Sequence, residues 1–562
     1  MRATVPISAT SEHRSYRWST ALLLTIGSAF ALFAASLIPG MPLGQYWWDN
    51  LALSGAAWAI DTGLTPSVDF WAPLIAPLYL KRAAIQIGGF ESHYFVECVI
   101  QGMIALALFM VLNSESLNKR TSLVLGAVVV LVATLPANHS NAISSAAGWI
   151  NYAGNYNRLC DALLMVLFLL PLQPDRAPAS GGGQIIRPIA LGLLVGLLFY
   201  TKISAFQVAL GYLLVVLVML NHAGLRRDIT VGLLLSLAGG LMIWWMTGIG
   251  PGYLTDLADI AQTKSSLLGE TAELRLHNLW QRHEIELVAL VIFTLWLGKA
   301  LTRSQASWRQ RMAIASLYAC AVSGTLLFTL TNYGDMGLTP FVACFYCVYV
   351  MTRRHRRQDT SRLDKRLPVL IIVCCLLEVF AFYARWSLGF VRQDRLSELE
   401  HLPVNTHFFH DHFLVTKKDW QVRPSAQSLS KAYIPQRHTP PNYATYVQLA
   451  SDVSSFLGKR YPTTSKVYLI DFPAYLFSLT NGFAIPIGAP PWLLYGHEVT
   501  DRHTERLSVW MKAADVIVLS TCSLHQPNRE KLTPLTKPTL KQHFREVYRT
   551  TCWAVHEKQS RA

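Results

Sequence analysis

The stretch Tyr94 to Leu112, YFVECVIQGMIALALFMVL, carries a single charged residue, Glu97, in nineteen positions. Coiled as a helix at about 1.5 Å per residue, it is close to the thickness of a bilayer's hydrocarbon core. The pattern repeats on both sides of it. Ten further apolar runs follow the same rule: Ser19 to Leu37, Ser122 to Leu135, Leu159 to Leu172, Pro188 to Thr201, Ile203 to Leu220, Ile229 to Thr247, Glu284 to Gly298, Met312 to Leu330, Met336 to Met351 and Pro368 to Phe390. Only 15% of the 562 residues are charged, well below the quarter usual in soluble domains, and 52% are hydrophobic. The sequence therefore predicts a polytopic α-helical membrane protein of about 11 spans. The 11% aromatic content excludes disorder, and the nine cysteines, most of them inside apolar runs, exclude a disulfide scaffold.

Charge asymmetry predicts the orientation. With a cytoplasmic N-terminus, the inner segments hold 20 Lys and Arg, whereas the longer outer loops before the final segment hold 7. The densest cluster, Arg353, Arg354, Arg356, Arg357, Arg362, Lys365 and Arg366, falls on an inner loop. A topogenic cluster of that kind accounts for much of the +15 net charge with no nucleic-acid partner. The first run follows Arg2, Arg14 and Arg17 like a signal peptide, but Pro39, Gly40 and Met41 after it make a poor cleavage site, so it reads as a retained anchor.

An odd number of spans sends everything after Phe390 outward, and this tail changes character. Strand-like runs at Lys466 to Phe472, Asp515 to Ser520 and Cys552 to Glu557 alternate with helical or turn-rich stretches at Asn442 to Leu457 and Thr500 to Lys512, which predicts an α/β domain over 391–562. Pro403 to Pro441 reads as an extended linker. Cys522 and Cys552 are the only cysteines of this segment, both follow Thr beside predicted strands, and an oxidising compartment would join them as a disulfide.

The long first outer loop, 39–93, carries the residues with the most chemistry. Trp47, Trp48, Trp58 and Trp71 suit a headgroup layer, so the loop is expected to lie along the membrane surface. Asp49 and Asp69 are separated by one helix length, a spacing that would let both face one cavity as general base or metal ligand; solvated loop acids are the plain alternative.

In this loop the sequence resembles the integral-membrane glycosyltransferases of the GT-C fold. The resemblance rests on Asp49, a short helix, then Gly63, Pro66, Asp69 and Phe70, with Pro73 and Leu74 leading into the second span. Two looser elements accompany it: Asn155-Tyr156-Asn157-Arg158 with Asp161 beyond, and the Gly192 to Lys202 segment ending in Thr201-Lys202. In the branch that includes protein O-mannosyltransferases and aminoarabinose transferases the first-loop acid is usually followed by Glu. Here Asn50 stands instead, which argues against a bound metal while leaving a divalent ion open; no other cofactor is implied.

The resemblance implies that residues 1–390 form a transmembrane glycosyltransferase-like domain of the bacterial inner membrane, with the 391–562 domain periplasmic. The implied donor is a sugar on polyprenyl phosphate, and the acceptor a glycan, lipid or protein. A phosphate at the outer surface needs cations, and Lys202 and Arg158 are the first candidates, followed by Lys81 and Arg82, with Lys264 and Arg275 on the same face. Lys202 could equally snorkel to the interface, Lys81 and Arg82 could contact bulk lipid phosphates, and Asp161 is a further acid at the second of these elements. His277 and His283 lack the second ligand pair of a metal site. Other functions consistent with the spans are an O-antigen ligase or polymerase, which the long C-terminal domain disfavours, and a lipid or glycan flippase, which should bury more ionisable residues than Glu378 in mid-span.

Overall fold

The computed structural model describes residues 27, 29–37, 41–42, 47–113, 116–134, 137–138, 150–151, 155–173, 183–266, 275–277, 279–280, 283–331, 339–355, 366–377, 393–395, 413–416, 443–495, 499–521, 526–550 and 552–559. Helices dominate because a backbone crossing lipid must satisfy its polar groups within its own segment. In chain order they are α1 (Trp47–Asp61), α2 (Ile75–Asn113), α3 (Lys119–Thr134), α4 (Asn155–Phe168), α5 (Gly183–Thr201), α6 (Ile203–Met219), α7 (Ala223–Thr247), α8 (Ile249–Ser266), α9 (Glu284–Thr302), α10 (Trp308–Thr331) and α11 (Pro340–Arg354), followed by α12 (Arg366–Leu377).

Among the described residues five helices are long and apolar enough to cross a membrane: Ser92–Asn113, Asn155–Leu172, Ala223–Thr247, Glu284–Thr302 and Trp308–Thr331. The chain is thus an integral membrane protein. Each predicted run from Tyr94 to Met351 coincides over its described residues with a helix, several of these helices only 15 to 17 residues long. Glu378 lies outside the described residues. Burial sorts the helices. The Asn155–Leu172 segment is 94% buried and forms the centre of the bundle, whereas Ala223–Thr247 is 11% buried and presents Leu234, Leu237 and Trp245 outward, as a lipid-facing helix must.

α2 is two helices joined at a kink. Gly89 takes φ 65°, which only glycine adopts without strain, and this turns the Ile75-to-Gly88 half away from the spanning half. The fold-back brings Lys81 onto Glu97, where the two form an ion pair with 1% and 3% exposure.

Short strands join distant parts of the chain. β1 (Met41–Pro42) belongs to the first outer loop, and β2 (Ala137–Asn138) pairs antiparallel with β3 (Ile150–Asn151). Beyond the helices come β4 (Gln393–Arg395) and β5 (Phe413–Thr416). β5 lies inside the expected linker, yet it pairs with β1 in parallel and with β4 antiparallel. That part of 403–441 is a strand in part because one partner, β1, comes from the first outer loop, which local composition cannot reveal.

The remaining C-terminal elements are α13 (Tyr443–Arg460), β6 (Val467–Ile470), α14 (Leu476–Asn481), α15 (Thr504–Ala513), β7 (Val516–Ser520), α16 (Gln526–His543), β8 (Phe544–Arg549) and β9 (Trp553–Lys558). They build a four-stranded sheet in the order β6-β7-β9-β8, parallel between β6 and β7 and antiparallel elsewhere. Three strands agree with the sequence reading. β8 and α16 are not legible in the sequence, because α16 reads QPNREKLTPLTKPTLKQH and contains Pro534 and Pro538. Its buried Leu532, Thr536, Thr539 and Leu540 nevertheless fall on one helical face.

Candidate functional site

α1 is buried along most of its length, with Asn50 and Ser54 at 0% and 2% exposure. Asp49 lies in its first turn. The chain then wraps over the other end of the helix: Thr62 donates to the Trp58 carbonyl, and Leu64 to Ala59. A tight turn follows, in which the Asp69 carboxylate accepts the Thr65 amide N–H at 2.7 Å and the Asp69 amide donates to the Thr65 carbonyl at 2.8 Å. Asp49 therefore lies in the first turn of α1, and Asp69 in the turn that follows the helix. The Asp49 side chain lies outside what is described, while the Asp69 carboxylate is engaged within its own turn.

Asp69 belongs instead to a clasp. Ser67 takes φ 59°, its hydroxyl donates to the Ala72 carbonyl at 2.9 Å, and the Ala72 amide donates to Asp256 Oδ2 on α8 at 3.0 Å. The Gly488 amide of the C-terminal unit donates to the Asp69 carbonyl at 2.6 Å. Nearby, Arg506 pairs with Asp259 of α8 and lies over the Trp510 ring. Phe70 meets Tyr475 edge-on, and Tyr475 also packs on Gly55 of α1. Burial pushes the Asp256 carboxyl up to about 6, against the lowering effect of its hydrogen bonds.

The second group of residues lies at helix ends. Lys202 is the extended residue between α5 and α6, and its Nζ donates to Asn157 Oδ1 at 2.7 Å. It also lies 5.5 Å from the Tyr156 ring centre and 5.6 Å from that of Phe328. Arg158 follows Asn157 on α4, and its Nη1 donates to Asp161 Oδ2 at 3.2 Å, both side chains almost fully buried. At the start of α9, His283 Nδ1 is 3.4 Å from Glu286 Oε1, and Glu286 adds to the negative field at Arg158. Thus Lys202, Arg158 and Asp161, 44 residues apart at most, meet in one polar cluster inside an apolar bundle. The amide of Asn157 is what joins the two cationic elements.

Two of the remaining cations are engaged by carboxylates. Lys81 does not face lipid phosphates, because the Gly89 kink buries it against Glu97. Arg82 Nε donates to Asp61 Oδ1 at 2.6 Å, with Gln86 on the same carboxylate oxygen at 3.0 Å. Arg275 is 7% exposed, and His277 is exposed. Lys264 lies on α8, its side chain outside what is described.

Asp256 and Glu286 were not singled out in the sequence, and Glu97 was not recognised there as the partner of Lys81. Glu97 alone carried a signal, as the one charge in an apolar run. Among the described residues no three His, Cys, Asp or Glu side chains gather as metal ligands. Cys552 is disulfide-bonded, and its expected partner Cys522 lies outside the described residues.

No family model and no curated protein matches the chain. Among solved structures it is similar to ArnT from Cupriavidus metallidurans in the apo state, at 10% identity and TM-score 0.37, covering 96% of this chain and 98% of that one. The same coverage and identity, with TM-score 0.39, hold for that ArnT bound to undecaprenyl phosphate. It is also similar to the archaeal oligosaccharyltransferase AglB from Archaeoglobus fulgidus in complex with an inhibitory peptide and a dolichol-phosphate, at 11% identity and TM-score 0.37, covering 89% of this chain and 70% of AglB.

Proposed function

We propose that the protein is a membrane glycosyltransferase that moves a sugar from a polyprenyl-phosphate donor to a hydroxyl of a glycan, lipid or protein acceptor at the outer face of the bacterial inner membrane. The observation that carries this reading is the Lys202–Asn157 hydrogen bond, which joins two cation-bearing elements beside the Arg158–Asp161 pair. Cations held at helix ends suit a phosphate at headgroup depth, and they stabilise it most as it leaves and gains charge. The neutral amide of Asn157 orients the Lys202 ammonium without cancelling it.

In this mechanism Asp49 accepts the proton of the acceptor hydroxyl while that oxygen attacks the anomeric carbon. The bond to the phosphate breaks with inversion, and the carrier leaves as polyprenyl phosphate. Asp69 acts on the loop rather than on the proton, since its carboxylate already receives the Thr65 N–H. The reading also puts the N-terminus in the cytoplasm, residues 1–390 in the membrane domain, 391–562 in the periplasm and a Cys522–Cys552 disulfide in that compartment.

The test uses the full chain in nanodiscs with a radiolabelled polyprenyl-phosphate sugar. Release of free carrier that depends on an added acceptor supports transfer. Intact donor with every acceptor tried, under conditions where the donor is bound, rejects it.

A further inference from the structure

A cleft of about 630 Å³ opens at one edge of the C-terminal sheet, lined by Tyr461, Ser465, Lys512, Asp515, Glu557 and Lys558, with Val516, His543 and Gln559 completing it. Its size lies within the range of small-ligand sites. Secondary structure fixes its walls. The Val516 amide donates to the Lys466 carbonyl at 3.1 Å, the Lys558 amide to the Asp515 carbonyl at 2.9 Å, and the Gln559 amide to the His543 carbonyl at 2.9 Å. The side chains are anchored too: Asp515 Oδ2 accepts the Lys466 amide N–H at 2.9 Å, Lys558 Nζ donates to the Lys512 carbonyl at 2.5 Å, and Glu557 pairs with Arg460 at 3.0 Å.

Two ammonium groups and two carboxylates share this lining, so it offers both donors and acceptors, with no net charge from these four. A phosphate or an acidic peptide would meet Asp515 and Glu557 as well as the lysines. A hydroxyl both donates and accepts, so a polyhydroxylated ligand uses both kinds of group, and the Tyr461 ring supplies an apolar surface for its C–H face. That combination selects a neutral sugar.

The cleft's position adds a second constraint. Ser465 and Asp515 precede the parallel strands β6 and β7, whereas the opposite end of β6 runs into Asp471 to Tyr475, where Tyr475 packs on Gly55 of α1. At roughly 3.3 Å per strand residue the two edges are about 15 Å apart. An acceptor that occupied the cleft and also reached α1 would have to be longer than a single sugar. We infer that the cleft binds a neutral sugar residue of a glycan acceptor, remote from the residue that receives the transferred sugar. This rests on the transferase reading above and narrows its acceptor to a glycan.

The full chain in detergent, applied to a printed array of neutral, uronic-acid and phosphorylated oligosaccharides, tests the inference. Binding to neutral oligosaccharides is expected, falling at least tenfold in Ser465→Trp, which fills the cleft, and in Lys512→Ala, which removes one exposed donor. The unfolding midpoint of both variants should match wild type; if Ser465→Trp unfolds early, Lys512→Ala decides. Absence of neutral binding, binding confined to phosphorylated glycans, or neutral binding that survives Lys512→Ala overturns the assignment. Donor consumption by the same preparation is read separately. Array binding without donor consumption keeps the sugar cleft and removes the transferase reading, and donor consumption without array binding does the reverse.

Discussion

Gly252 of α8 passes so close to Ser67 that a Cβ on it would stand 1.7 Å from the Ser67 carbonyl oxygen. No side-chain rotation relieves a clash with backbone, so Gly252→Ala must push α8 and the 65–72 turn apart. The Ala72–Asp256 hydrogen bond lies in the same contact and would be strained with it. A loss of about 1 to 3 kcal/mol of stability, that of an overpacked core site, is expected in denaturant titrations, together with lower transfer activity. Leu254→Ala, on the exposed face of the same helix, serves as the comparison and should be near neutral.

Asp49 and Asp69 should respond differently to loss of charge. Asp49→Asn is expected to cut transfer by about 10²- to 10⁴-fold at unchanged stability, the range typical of a lost general base. Asp69→Asn keeps an acceptor for the Thr65 N–H and should retain most activity, whereas Asp69→Ala loses that bond, at about 1 kcal/mol. Steady-state rates beside unfolding midpoints separate the two roles. Full activity in Asp49→Asn would remove it as the base.

Lys202→Met keeps the apolar stem and removes the ammonium. Donor KM should rise at least tenfold, and kcat should fall as well if the ammonium also stabilises the leaving phosphate. Asn157→Asp, which places a carboxylate on Lys202, should weaken donor binding in the same direction without removing a cation. An unchanged KM in both variants would leave Lys202 as an interfacial anchor.

The clasp should be sensitive to pH. Asp256 has its carboxyl raised from 3.8 to about 6 by burial, so the folded state holds the proton more tightly than the unfolded chain. Its favourable contribution is complete below pH 3.8 and is lost as pH rises through about 6. Asp259 and Arg506 face the same contact and act in opposite directions on it. Unfolding midpoints measured between about pH 4 and 7 should therefore fall less steeply in Asp256→Asn than in wild type. Parallel curves would mean that Asp256 does not titrate in this window.

Non-reducing mass spectrometry should recover one peptide pair joining Cys522 to Cys552. The Thr521 amide donates to the Cys552 carbonyl at 2.7 Å, which holds the two chain segments side by side at this point. Alkylation should meanwhile find Cys98, Cys160 and Cys344 as thiols. Alkylation of Cys522 in the native protein would reject the pairing.

The sequence by itself determined the membrane class, the helical runs and three of the four strands in the C-terminal sheet. Each depends on a local property: lipid demands a continuous apolar run, and a buried strand demands a short β-branched one. The elements carrying Asn157, Arg158, Asp161 and Lys202 were picked out through the resemblance to a family, with Lys202 conspicuous besides as a lone cation between two apolar helices. Tertiary structure alone decided what those groups do to one another. The Gly89 kink turned Lys81 inward onto Glu97, the turn after α1 engaged the Asp69 carboxylate with the Thr65 amide, and Asp256 reached the Ala72 amide across 184 residues. Partners so far apart in the chain leave no periodicity behind, so only the packing of helix on loop shows which charges are compensated and by what.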